Sequence, residues 1–240
     1  MVLGATVAGA YTVFGLTGFG AAMVAVPILV QFLPLHFVVP MLLLLDFITT
    51  TMVGLRNWTS VSRAELLRLL PFMMAGVALG TTVLAKVESR WLLVCLGLFV
   101  LVMTIRALVV PATHVQETGK GWAAPAGVIG GVFSALFGTG GPIYTMYLSR
   151  RLTHIDQFRA TIAAVILVSA VVRLFAFAGS GLLQQGNLLG SAAFAVPFSL
   201  AGLAMGSILR RRISADAVRR ALLLFLAASG ASVLWRGITM

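Results

Sequence analysis

Apolar residues run in long, continuous blocks along this chain, separated by short gaps that hold most of its polar residues. The blocks fall at about 2–33, 37–56, 66–85, 91–110, 122–149, 158–178, 188–209 and 216–236. A helix of about 20 apolar residues covers a hydrocarbon core of roughly 30 Å. Membrane strands would alternate in-facing and out-facing residues, and these blocks do not alternate. The pattern predicts an all-α integral membrane fold with about eight hydrophobic segments.

The first and fifth segments are too long for a simple crossing, and glycine interrupts both. The first reads Gly15-Leu16-Thr17-Gly18-Phe19-Gly20, with Pro27 following; the fifth reads Phe137-Gly138-Thr139-Gly140-Gly141-Pro142. Glycines this dense end a helix, and Pro142 suits the first turn of the next one. Each long segment is therefore predicted to be two half-helices, or a hairpin, meeting inside the membrane. Irregular backbone survives at that depth only where protein or a watery cavity satisfies it.

The chain also repeats. Residues 71–80 and 197–206 both follow PFxxAGxAxG, and each copy lies in the third segment of a group that begins with a glycine-broken one. Gly18 and Gly20 align with Gly138 and Gly140. One transmembrane domain of two halves is expected, about 1–110 and 122–240. Paired broken segments in equivalent halves point to a transporter's binding site. The glycines of PFxxAGxAxG itself (Gly76, Gly80, Gly202 and Gly206) read as sites of close helix packing.

Basic residues indicate how the halves are oriented. If segments one and five cross fully, the basic residues divide ten to six between the two sides. If they enter and return as hairpins, thirteen gather on one side and only Lys86, Arg90 and Arg236 on the other, with Arg173 inside a span. Positive residues favour the cytoplasm, so the hairpin arrangement is preferred. Each half then has an odd number of crossings, which makes the two halves inverted repeats.

Composition narrows the class. The chain is 60% hydrophobic and 10% charged, with a mean hydropathy of +1.06, whereas soluble domains carry about 25% charged residues. Lipid must cover the apolar surface. The net charge of +11 sits in gaps between segments and forms no basic face, so no nucleic-acid partner is expected. A single cysteine, Cys95, excludes a disulfide framework within the chain. His36, His114 and His154 lie near segment ends in no ligating pattern, so neither a metal nor another cofactor is expected. The first thirty residues lack a basic leader and are read as part of the fold.

Residues 131–142, Gly-Val-Phe-Ser-Ala-Leu-Phe-Gly-Thr-Gly-Gly-Pro, followed by Tyr147-Leu148, resemble the second-repeat signature of the TauE/SafE family of sulfite exporter-like permeases. Gly9 through Pro27 is similar to the first-repeat version, with Gly18-Phe19-Gly20-Ala21-Ala22 where the family often shows GxGGG. The resemblance implies a multi-pass protein of the bacterial inner membrane. It also implies transport of small sulfur-containing or organic anions such as sulfite or a sulfonate.

The residues themselves indicate the same chemistry. A helix start offers unpaired N–H groups and about half a positive charge, and glycine lets an oxyanion approach them. Candidate substrate contacts are Thr17, Gly18, Gly20, Gly138, Thr139, Gly140, Gly141 and Pro142. Two charges lie within spans, Asp46 and Arg173. Such burial costs at least about 2.5–3.5 kcal/mol, which marks both as functional candidates. Arg173 could attract the anion, snorkel to the interface, or pair with Asp46, which could instead carry a coupled proton. The expected partners are a small anionic solute and the bilayer, with a homo-oligomer left open. The rival readings are an intramembrane enzyme and a channel or assembly subunit. No mid-span histidine can act as a base for the first, so no catalytic residues are assigned and the chain is read as a non-enzyme.

Overall fold

The structure, a computed structural model, describes residues 2–17, 20–54, 60–109, 119–210 and 215–239. It is all-helical, with no strand among the described residues. The helices are α1 (Val2–Thr17), α2 (Ala21–Leu29), α3 (Leu35–Gly54), α4 (Arg63–Lys86), α5 (Ser89–Val109), α6 (Ala123–Phe137), α7 (Gly141–Leu148), α8 (Ile155–Gly179), α9 (Leu188–Leu209) and α10 (Ala215–Thr239). Six of them, α3, α4, α5, α8, α9 and α10, contain stretches long and apolar enough to cross a membrane. Large side chains such as Phe175, Leu224 and Trp235 stand exposed on these helices, each more than 70% accessible. In water such faces would be untenable; against lipid they are the expected surface. Trp91, Trp122 and Trp235 are exposed near helix ends, where an interfacial anchor belongs.

The two overlong segments fold as pairs of shorter helices. Residues 2–29 form α1 and α2, and residues 123–148 form α6 and α7. The second break is the better defined. Gly138 ends α6 in the left-handed region (φ 69°, ψ 12°). Its N–H donates to the Ser134 carbonyl at 2.8 Å, and the Thr139 N–H donates to the Phe133 carbonyl at 3.3 Å. This is the glycine turn that closes many helices. Gly140 caps α7 and Pro142 follows within its first turn, where its missing N–H costs nothing.

The chain packs as two compact units. The first comprises residues 1–42, 86–112 and 186–240; the second comprises 43–85 and 113–185. Each draws helices from both sequence halves. In the first unit, α1 lies against α9. A Cβ at Gly4 would meet Phe198, one at Gly202 would meet Ala8 and Thr12, and one at Gly15 would meet Leu203 and Gly206. The contacts advance together along both helices, so the pair is parallel. In the same unit α5 and α10 run antiparallel, Gly97 against Leu234 and Gly237 against Val94.

The second unit repeats the first theme with α6 against α4. Gly127 faces Leu69 and Phe72, Gly76 faces Val128, and Gly80 faces Val132 and Ala135. The PFxxAGxAxG helix of each half thus packs on the broken segment of the other. At Gly76, Gly80, Gly202 and Gly206 a Cβ would run into the neighbouring helix's backbone. Close helix contact is what these glycines permit.

The second unit also shows which way segment five runs. Gly140 packs on Gly130 and Ser134 of α6, while Trp122, Pro125 and Ala126 share a cleft with Met146, Tyr147 and Arg150. The start of α6 and the end of α7 therefore lie at the same end of the unit. Two further bonds place the starts of α4 and α8 there as well. Arg151 Nη2 donates to Glu65 at 2.9 Å, and the Ser62 N–H donates to the Thr161 hydroxyl at 2.9 Å. Segment five turns back on itself.

Candidate functional site

The break between α6 and α7 is built so that its own backbone leaves donors over. The turn uses the N–H groups of Gly138 and Thr139. Those of Ile143 and Tyr144 bond back to the Gly140 carbonyl, at 3.1 and 3.2 Å. Pro142 has none. The N–H groups of Gly140 and Gly141 take no part in these bonds, and no side chain caps the helix start. They are the groups from which an anion could accept.

The side chains around the break are committed to holding it. Thr139 is buried, and its hydroxyl approaches the Phe133 carbonyl at 3.5 Å. Gly140 is pressed so closely onto α6 that a Cβ would strike the Gly130 carbonyl and sit 2.8 Å from Ser134 Cβ. Packing alone therefore requires glycine at 140. Tyr144 is also buried, its ring against Gly130.

Arg173, on α8, is 3% exposed and does not snorkel. Its Nη1 donates to the Ser134 carbonyl at 3.0 Å, the same oxygen that accepts from Gly138. The Ser134 and Ser169 hydroxyls are bonded to each other beside it, at 2.9 Å. The position has an electrostatic consequence. The end of α6 carries about half a negative charge, which would weaken the positive start of α7 next to it. A guanidinium on the last turn of α6 offsets that charge and leaves the field of α7 to act. Asp46 is half-buried in the middle of α3, within the second unit, and its carbonyl accepts from Thr49 at 3.3 Å.

The first unit holds the other break. Gly20 caps α2 in the left-handed region (φ 95°, ψ 13°), and a Cβ there would meet nothing within 4 Å. The Thr17 hydroxyl donates to the Val13 carbonyl at 2.8 Å. Gly18 lies outside the described residues.

Sequence reasoning missed one cluster. Glu65, on the first turn of α4, is buried. It accepts from the Tyr147 hydroxyl at 2.5 Å, from Arg68 at 2.5 Å and from Arg151 at 2.9 Å. The bond to Glu65 and that carboxylate's charge hold Arg151 above the ordinary arginine value. The available signal was an acidic residue at the very edge of an apolar block, immediately before Leu66, in a chain with only six acidic residues.

Six apolar helices long enough to cross a membrane, together with two glycine-broken segments, define a polytopic integral membrane protein. The family model described as "Sulfite exporter TauE/SafE" matches residues 2–233. The chain belongs to this family. Among its relatives is the "Probable inner membrane transporter protein TsaS" of Comamonas testosteroni, 30% identical over 203 residues, or 82% of this chain and 83% of that one. Another is the "Probable sulfite/organosulfonate exporter TauE" of Cupriavidus necator, 28% identical over 183 residues, or 76% of this chain and 70% of that one. No solved structure matches the chain. It is a multi-pass transporter of the bacterial inner membrane.

Proposed function

We propose that the protein is a secondary transporter for a small anion, sulfur-containing or organic, such as sulfite or a sulfonate. The observation that carries this reading is the start of α7. Two N–H groups, at Gly140 and Gly141, stand outside the bonds of the turn within a membrane segment. An oxyanion is the ligand such a helix start favours. Arg173 serves by neutralising the end of α6. The break at Gly20 offers a second helix start in the other unit. The names of the two relatives fit a solute of this kind, one being called a sulfite/organosulfonate exporter.

The two broken segments are read as re-entrant hairpins and the two sequence halves as inverted repeats. The return of segment five to the end where it began supports this. So does the gathering of Arg63, Arg68, Arg150, Arg151 and Arg159 near that end, which is then cytoplasmic.

Purified protein in liposomes tests the reading by uptake of radiolabelled sulfite, thiosulfate, sulfonates and carboxylates, with and without a pH gradient. Saturable flux of at least one sulfur oxyanion above protein-free liposomes is expected. Flux of none of these anions, in protein shown to be correctly inserted, would overturn it.

A further inference from the structure

The Glu65 cluster is not explained by the anion site, and its geometry assigns it a task. Helix α7 has only eight residues, about 12 Å of helix. So short an element has no stability of its own and takes its position from what it touches. Its start is held by the packing of Gly140 on α6. Its other end is held by Glu65: Tyr147 on the last turn and Arg151 just beyond both donate to that carboxylate. All these partners belong to one compact unit. The bonds are therefore struts within a body, not a gate between bodies.

We infer that Glu65 is a positioning residue: its carboxylate fixes the register of α7 and thereby sets where the N–H groups of Gly140 and Gly141 stand. The inference rests on the proposed anion site for its functional consequence, and on the cluster alone for its structural one. Charge is required, and shape does not suffice. Every group that meets the carboxylate from Arg68, Tyr147 and Arg151 is a hydrogen-bond donor. An isosteric glutamine would turn its NH2 toward donors and leave two guanidinium groups without their counter-charge. The end of α7 would then be released.

The test has two arms, both in a Cys95→Ala background. In the first, cysteines replace Ile129 and Ile143, which line the cleft between α6 and α7, and oxidative cross-linking reports the register of α7. In the second, sulfite uptake gives KM and maximal rate. Glu65→Gln is expected to slow cross-linking about tenfold. It is also expected to raise KM for sulfite by about tenfold or more with the maximal rate nearly kept, the pattern left by lost binding. Tyr147→Phe, which removes one strut and keeps the charges, should move both readouts the same way by less. It carries the test if Glu65→Gln fails to insert.

Unchanged cross-linking in the inserted variants would overturn the inference. Slower cross-linking with an unchanged KM would also overturn it, leaving Glu65 a structural residue without influence on the substrate. If the wild type moves none of the screened anions, the transport reading fails, while the cross-linking arm still decides whether Glu65 sets the register; if it moves another of them, that anion replaces sulfite in the KM arm.

Discussion

Replacing Gly206 with alanine puts one methyl group into the tightest contact between α1 and α9. A Cβ there would overlap the Thr12 carbonyl oxygen and lie 2.9 Å from the Cα of Gly15. Carbon atoms rest at about 3.5–4.0 Å from each other. Both obstacles are backbone, so no rotamer change relieves them and the helices must part. Overpacking of this kind costs about 1–3 kcal/mol, against about 1 kcal/mol gained from alanine's better helix propensity. Gly9→Ala, on α1 itself, supplies the control, because a Cβ there meets nothing within 4 Å. The propensity gain is common to both variants, so their difference isolates the overpacking. At roughly 2–4 °C per kcal/mol, the two should melt roughly 2–12 °C apart, Gly206→Ala the lower. Thermal unfolding of the purified protein in one detergent measures this. Equal midpoints, or Gly206→Ala melting above Gly9→Ala, would show that backbone contact does not join these helices.

Arg173→Gln should weaken the substrate anion's affinity about tenfold or more, since it restores the negative end of α6 beside the start of α7 and loses a charged hydrogen bond worth about 1.5–3 kcal/mol. Equilibrium binding of sulfite to purified protein checks this, and an unchanged affinity would make the arginine a purely structural cap. Gly138→Ala forces a Cβ into the left-handed region (φ 69°) and should cost about 1–2 kcal/mol. It should lower the melting midpoint, and a midpoint at or above the wild type would mean that the turn is built differently.

Much of the architecture is legible in the sequence because lipid imposes a simple rule. Apolar blocks predict the helices closely: α9 occupies 188–209 as expected, and α8 departs from 158–178 only by running from Ile155 to Gly179. The breaks marked by Gly20 and by residues 138–140 are legible too, since dense glycine is incompatible with one continuous rod. Partner choice is not legible. That α1 packs on α9, and α6 on α4, follows from backbone surfaces matched across distant parts of the chain. A periodicity reading shows that a helix has a small-residue stripe without saying whose stripe it meets.

The candidate site was read in outline and not in detail. The helix start at Gly140 was evident from Gly-Gly-Pro. That Gly140 is fully packed and Arg173 engaged on the Ser134 carbonyl was not, because both depend on the way α6, α7 and α8 come together. Glu65 escaped for a similar reason. Its bonds to Tyr147 and Arg151 span 82 and 86 residues, and no local pattern records such pairs.

Segment five turning back within the membrane is the claim on which the anion site depends, and sidedness tests it directly. In a Cys95→Ala background, single cysteines at Gly121, before α6, and at Arg150, after α7, are probed with a membrane-impermeant maleimide in oriented vesicles. Both should label from the cytoplasmic face. Labelling from opposite faces would make residues 123–148 a full crossing and contradict the account.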